Sequence, residues 1–318
     1  MVGVRLQYPD RRRVLLGAMG LCGVSPALDE AQVVTATDLA GRITAPVRIG
    51  AAGPFTFVVD TGANRTVVCE ELARDLALPD AGVATVHGIA GAEPAPLVRL
   101  PSLGVDAVTL RDLQVPVLPR SRLGVEGLLG MDALRGRRAM LDFRRRRLRL
   151  RSAGTGPFDV SDTRTDRSDD ERPRGARVVV PARYRFGQLI IIGAEAEGRA
   201  VTAILDSGSQ RTVGNLALRR LVLGATQDPR EQRFVTAVFS ATGQTAQGDV
   251  AAMPLLKVGG LSVTRLPTVF ADLHVFQQWD LTRRPSVLLG ADLMNLFDAV
   301  ELDYGRREVA FWLPPRSR

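Results

Sequence analysis

The chain has 318 residues, 45% of them hydrophobic, and a formal net charge of +8, enough for one large domain or two ordinary ones. No stretch approaches the roughly 20 consecutive apolar residues that a bilayer-spanning helix needs, so stable membrane insertion is not expected and the mature chain reads as soluble. The modest basic excess argues for solubility or non-specific attraction rather than for a particular ligand.

The first residues read as an export signal. Arg11, Arg12 and Arg13 precede the apolar run Val14 to Val24, and Ser25-Pro26-Ala27 suits cleavage after residue 27. The arginines suggest the twin-arginine route, with ordinary secretion as the alternative, and either places the protein in the periplasm or outside the cell. Cys22 follows Leu21 where a lipid anchor wants a small residue, so anchoring is not expected. After cleavage only Cys69 remains, which leaves no intramolecular disulfide. Following Val67 and Val68, it reads as a small packed residue rather than a nucleophile.

Beyond the signal the chain is written twice. "FVVDTGANRTVV" (57–68) is matched by "AILDSGSQRTVG" (203–214), "GLLGMDALR" (127–135) by "VLLGADLMN" (287–295), and "MLDFRRRRLRL" (from Met140) by "ELDYGRREVAF" (from Glu301). Three blocks in the same order indicate an internal duplication. The charged, Gly/Ser/Thr/Pro-rich stretch 151–177 reads as a flexible linker between an N-terminal lobe at 33–150 and a C-terminal lobe at 178–315.

In chain order, short apolar or β-branched runs bounded by Gly, Pro or Asp predict strands at 47–49, 55–59, 108–110, 178–180, 189–192 and 201–205. Brief helices are expected only at 70–76, 131–134, 216–221 and 291–295. The fold class is therefore all-β with few short helices. Arg144 to Arg147 could suggest a nucleic-acid contact, but Gly305-Arg306-Arg307 stands at the same place in the second copy. A solvated hairpin turn explains both, and no stacking aromatics are interleaved. No nucleic-acid partner is expected.

The chemistry gathers at Asp60 and Asp206. Each is driven out of an apolar run into a glycine turn, and an ionised carboxylate in such a place needs a companion or a shifted pKa. The two repeats make each the candidate companion of the other. Taken singly, an Asp-hydroxyl-Gly segment is also what an ordinary strand-end turn looks like.

Asp60-Thr61-Gly62-Ala63 with Thr66-Val67-Val68, followed by Leu128-Leu129-Gly130, resembles the active-site and hydrophobic-glycine motifs of retropepsin-like aspartic proteases. Asp206-Ser207-Gly208-Ser209 and Leu288-Leu289-Gly290 repeat them. The resemblance implies two similar β-barrel lobes related by pseudo-twofold symmetry and covalently linked, as in pepsin-like enzymes. It implies an aspartic endopeptidase whose Asp60/Asp206 dyad activates a water against a peptide bond of a polypeptide substrate, with no cofactor or metal and with one chain sufficient as a monomer. Thr61 and Ser207 would carry crossed hydrogen bonds between the two active-site loops. Gly62 and Gly208 would let backbone approach the carboxylates, and Gly130 and Gly290 would let a strand pack behind each loop.

"VHGIAGAEP" (86–94) resembles a flap around Gly88, Ile89, Ala90 and Gly91, and "VFSATGQTAQG" (238–248), with Thr242 and Gly243, is the counterpart in the second half. Neither has the tyrosine of a pepsin flap. His87 reads as a surface residue or a substrate contact, and His274 as structural. Trp279 with the insertion 272–285 reads as a cleft wall or a surface loop. Gly214, standing where the first copy has Val68, is expected to loosen local packing. The alternatives to an endopeptidase are a non-catalytic peptide-binding module on the same fold and, more remotely, a carboxylate-pair glycosidase.

Overall fold

The computed structural model describes residues 5–7, 31–34, 36–37, 41–105, 108–152, 175–224 and 234–315. The segment read as an export signal, Arg5–Gln7 apart, and residues 153–174 of the expected linker lie outside the described residues. Among the described residues no helix is long and apolar enough to cross a membrane.

Strands dominate, in two bodies with the same wiring. In the first half Ala52–Val59 runs parallel to Gly127–Leu129, which lies antiparallel to Val67–Cys69, itself parallel to Val108–Leu118. In the second half Thr202–Leu205 runs parallel to Ser286–Leu289, which lies antiparallel to Val213–Gly214, itself parallel to Leu261–Phe270. A long antiparallel hairpin flanks each unit, Ala92–Val105 with Val108–Leu118 and Thr245–Val258 with Leu261–Phe270. The all-β, two-lobed fold expected from the sequence is the fold observed.

The halves are joined by six successive antiparallel strands of a larger continuous sheet, in the order Ala31–Val34, Arg147–Ser152, Arg137–Asp142, Ala299–Asp303, Glu308–Trp312, Arg177–Arg185. Its two central strands come from different halves, with Met140 opposite Glu301. A buried ion pair, Arg138 Nε to Asp303 Oδ2 at 3.0 Å, crosses that seam. The strand Arg177–Arg185 alternates as a one-face strand must, with Val178, Val180 and Ala182 buried and Val179 exposed. Phe57, Val58 and Val59, and Ala203, Ile204 and Leu205, are buried on both faces instead. These are the apolar runs that end in an aspartate, and they are apolar throughout because protein covers both sides.

Helices lie at Glu70–Asp75, Met131–Leu134, Leu216–Leu223 and Ala291–Met294 as expected. Two more, Arg120–Leu123 and His274–Gln278, were not expected from the sequence. Cys69 is fully buried, its Sγ accepts the Leu72 N–H at 3.4 Å, and burial pushes its thiol pKa up, so it packs and caps a helix. Asn215 caps the second-half helix from the same position, accepting the Leu218 N–H at 2.8 Å. Both arginine groups occupy hairpin turns. Asp142 accepts the Arg145 N–H at 2.8 Å, and Asp303 accepts the N–H groups of Gly305 and Arg306 at 3.0 and 2.9 Å.

One expectation is corrected. Gly214 does not loosen its surroundings, because Phe270, fully buried, stands opposite it where Val117 stands opposite Val68. A Cβ at Gly214 would lie 2.9 Å from Leu218 Cδ2 and 3.0 Å from the Phe270 ring. The pair glycine–phenylalanine fills the space that two valines fill in the other half.

Candidate active site

Asp60 and Asp206 stand at the C-terminal ends of the buried strands Ala52–Val59 and Thr202–Leu205. In each case the neighbouring Leu-Leu-Gly strand fixes the exit. The Asp60 N–H donates to the Leu129 carbonyl and the Asp206 N–H to the Leu289 carbonyl, both at 3.0 Å. The chain then turns back on its own carboxylate. Asp60 Oδ1 accepts the N–H groups of Gly62 and Ala63 at 2.8 and 3.0 Å, and Asp206 Oδ1 accepts those of Gly208 and Ser209, each at 3.1 Å.

The structure brings the two loops together. Thr61 Oγ1 donates to the Leu205 carbonyl and accepts the Ser207 N–H, each at 3.0 Å, while Ser207 Oγ donates to the Val59 carbonyl at 2.6 Å and accepts the Thr61 N–H at 3.1 Å. Both hydroxyls are buried, so their four bonds hold the loops in one relative position. Each carboxyl lies against the glycine of the opposite loop, and a Cβ on Gly62 would fall 2.5 Å from Asp206 Oδ1. Glycine is thus required by close approach across the twofold. Each carboxyl acts electrostatically on the other.

Two acids so placed do not titrate independently. Removal from water raises the Asp206 pKa to about 7, the charge of Asp60 adding to the effect. Asp60 is also raised by burial, but the N–H groups of Gly62 and Ala63 and the Arg42 guanidinium work against it. Arg42 has no charged counterpart acting on Asp206 among its principal influences. The site therefore favours one proton on the pair, with Asp206 the better holder.

Behind each loop stands a support that sequence reasoning missed. Thr66 Oγ1 accepts the Gly130 N–H at 3.1 Å and donates to Asp132 Oδ1 at 2.7 Å, and Asp132 also accepts the Thr66 N–H at 2.9 Å. Thr212 and Asp292 repeat the arrangement with Gly290 at 3.2, 2.8 and 2.9 Å, and burial raises the Asp292 carboxyl. The signal was present, since both aspartates recur two residues after the glycine, but nothing in a sequence says which threonine faces them. Gly130 and Gly290 back directly onto the chain, and a Cβ on Gly290 would meet the Arg211 carbonyl carbon at 2.5 Å.

The two expected flaps are hairpins. Asp80–His87 pairs with Ala92–Val105 around a turn of Gly88, Ile89, Ala90 and Gly91, and Phe234–Phe239 pairs with Thr245–Val258 around a turn containing Thr242 and Gly243. Their tips meet. Thr242 Oγ1 lies 3.3 Å from the Gly91 carbonyl, and Gln244 Nε2 donates to the Ala92 carbonyl at 3.3 Å. Ser240 and Gln244, at the second tip, were not anticipated as contacts. Ile89 reaches over to the second-half apolar cluster of Phe276 and Leu288, against which Trp279 also packs, stacked on Phe186 with ring centres 5.5 Å apart. The insertion 272–285 is thus a wall beneath the first flap. His87 is exposed, as a surface residue was expected to be, and its ring is hydrogen-bonded to that of His274 at 3.0 Å.

Beside the Asp60 loop an open cavity of about 780 Å³ is lined by Asn64, Arg65, Gln114, Arg135, Phe186 and Gly187 among others, and neither carboxyl of the pair lines it. Gln188 Nε2 ties this edge to the loop, donating to the Gly62 carbonyl and to Asn64 Oδ1, each at 3.0 Å. Among the described residues no group of three or more His, Cys, Asp and Glu side chains is arranged to hold a metal ion.

Two β lobes, each ending a buried strand in an Asp-hydroxyl-Gly loop that is cross-bonded to the other, have the architecture of an aspartic protease. An aspartyl protease family profile matches the chain twice, over residues 45–133 and 192–293, and the chain belongs to that family. No curated protein matches it.

Proposed function

We propose that the protein is a single-chain aspartic endopeptidase in which Asp60 and Asp206 hydrolyse a peptide bond through a shared water. The observation that carries this reading is the cross-bonded pair of loops, in which each carboxyl rests on the opposite glycine and the Thr61 and Ser207 hydroxyls hold the two together. In this reading Asp60, ionised, takes a proton from the water as it attacks the carbonyl carbon. Asp206, protonated, donates a hydrogen bond to the carbonyl oxygen, which gains charge as the tetrahedral intermediate forms. The roles then exchange, and the proton acquired by Asp60 passes to the departing amine. Aspartic proteases are a standard instance of two carboxyls sharing one proton.

An extended polypeptide would lie under the flaps and add backbone hydrogen bonds to the hairpins, with side-chain pockets deciding specificity. Both halves of the site come from one chain, so a monomer suffices. We propose too that the two lobes descend from an internal duplication, with boundaries near 33–150 and 178–315, and that residues 1–27 direct export.

The test is hydrolysis of a mixed peptide library by the full chain and by Asp60→Asn. Wild type is expected to cleave, with activity falling as pH rises through about 7, where Asp206 loses its proton. Asp60→Asn is expected to lose on the order of 10³-fold or more in kcat/KM without loss of fold. A wild-type chain that binds peptides and leaves them intact would be a peptide-binding module instead, and Asp60→Asn retaining full activity would reject the dyad.

A further inference from the structure

The chain has two histidines in all, and they meet. His87 ends the first strand of the first flap, and His274 opens the short helix of the second-half insertion, 187 residues away. His87 Nδ1 and His274 Nε2 are 3.0 Å apart, and the ring planes lie within 3° with centres 5.3 Å apart. An N–H···N bond lies in the plane of its donor ring, so the rings meet edge to edge rather than face to face. Two further contacts lie beside it. The Val275 N–H donates to the Ile89 carbonyl at 3.2 Å, and the Ile89 side chain packs against the second-half cluster. The histidines therefore stand where the first flap touches the opposite half of the molecule.

We propose that His87 and His274 form a latch holding the first flap closed against the second half, and that protonation of both rings releases it. This rests on the reading of the hairpin as a substrate cover, and not on the catalytic step. A neutral pair has one N–H donor and one bare nitrogen facing it, and a singly protonated pair still has both. A doubly protonated pair has two N–H donors and two positive charges head to head, with no acceptor between them. The bond exists only while at least one ring is neutral.

The neighbouring charges are otherwise engaged or are not bonded to the rings. On the first flap hairpin Glu93 is paired with Arg122 at 2.6 Å, and Asp80 accepts the Gly82 N–H at 3.0 Å. On the insertion Asp272 accepts the Leu216 N–H at 3.0 Å, while Asp280, Arg283 and Arg284 follow the helix. On the second flap Asp249 is paired with Arg219 at 3.5 Å, and the tip contributes the neutral Ser240, Thr242 and Gln244. No carboxylate among the described residues bonds to either ring, so none holds a doubly charged pair together. A metal clamp is the rival use of two imidazoles, but here the facing nitrogens point at each other along one line rather than converging on a third point.

Amide hydrogen exchange of the segment 86–94 in the full-length Asp60→Asn chain tests the latch without turnover. After correction for intrinsic exchange, opening of the segment is expected to rise about five-fold as pH falls from roughly 8 to roughly 5, the size of one modest hydrogen bond. His87→Gln/His274→Gln, which keeps polar groups that do not titrate, is expected to show no such rise, and His87→Ala to be open at every pH. Protection in the parent chain that is flat with pH, or a rise that survives in the Gln/Gln chain, would overturn the proposal. So would protection that Zn²⁺ restores at acid pH and a chelator abolishes, which would assign the pair to a metal. A failed latch leaves peptide hydrolysis untouched, and a failure to hydrolyse peptides leaves the exchange result standing.

Discussion

The two halves share their strand wiring and the bonds that hold the active-site loops, and they differ in their flaps and insertions. Thr61 and Ser207, Thr66 and Thr212, Gly130 and Gly290, and Asp132 and Asp292 make matching bonds, to within about 0.1 Å except that the Ser207 hydroxyl lies 2.6 Å from its carbonyl and the Thr61 hydroxyl 3.0 Å from its own. The covers differ. The first flap ends in Gly-Ile-Ala-Gly and the second in Ser-Ala-Thr-Gly-Gln, and the first half has only the short helix Arg120–Leu123 where the second carries the Trp279 wall. A twofold pair of acids demands twofold support, whereas a peptide has a direction and presents different side chains to the two halves. Even the pair itself is unequal, since Arg42 in the first half corresponds to the neutral Gln188 in the second.

The largest expected effect tests the shared part. Gly130→Ala and Gly290→Ala each press a methyl group into main chain that cannot step aside, at Arg65 and Arg211 respectively. Each is expected to cost about 3 kcal/mol or more in urea unfolding, with similar losses from the two halves. A harmless substitution in either half would break the claimed equivalence.

A smaller effect probes the compensated part. Gly214→Val is expected to destabilise by about 1–3 kcal/mol because Phe270 already fills the space, and Gly214→Val/Phe270→Val, which rebuilds the first half's valine pair, is expected to recover most of that loss. Strictly additive costs would show that the two positions do not trade volume.

Much of this was legible in the sequence because it repeats. The doubled Asp-hydroxyl-Gly and Leu-Leu-Gly blocks located the pair and its hydroxyls, and the turn around Gly88 to Gly91 marked the first flap. What was not legible depends on contacts between distant segments. Phe270 opposite Gly214 is a parallel pairing across 56 residues, and a glycine read alone suggests only looseness. Asp132 and Asp292 were visible as repeats, yet their threonine partners emerge only once the strands cross. His87 was visible only as part of the flap stretch, and its meeting with His274 was not legible because it depends on where a flap tip lands.

The most direct test of the shared proton is a titration of the two carboxyl groups themselves, by carbon NMR of aspartate-labelled protein with Asp60→Asn and Asp206→Asn chains as assignments. One carboxyl of the pair is expected to keep its proton until about pH 7, with Asp206 as the principal holder, and that late step is expected to fall to a lower pH when Asp60 becomes asparagine. Two carboxyls that both ionise in the ordinary aspartate range near pH ~4, unaffected by each other's replacement, would contradict the account.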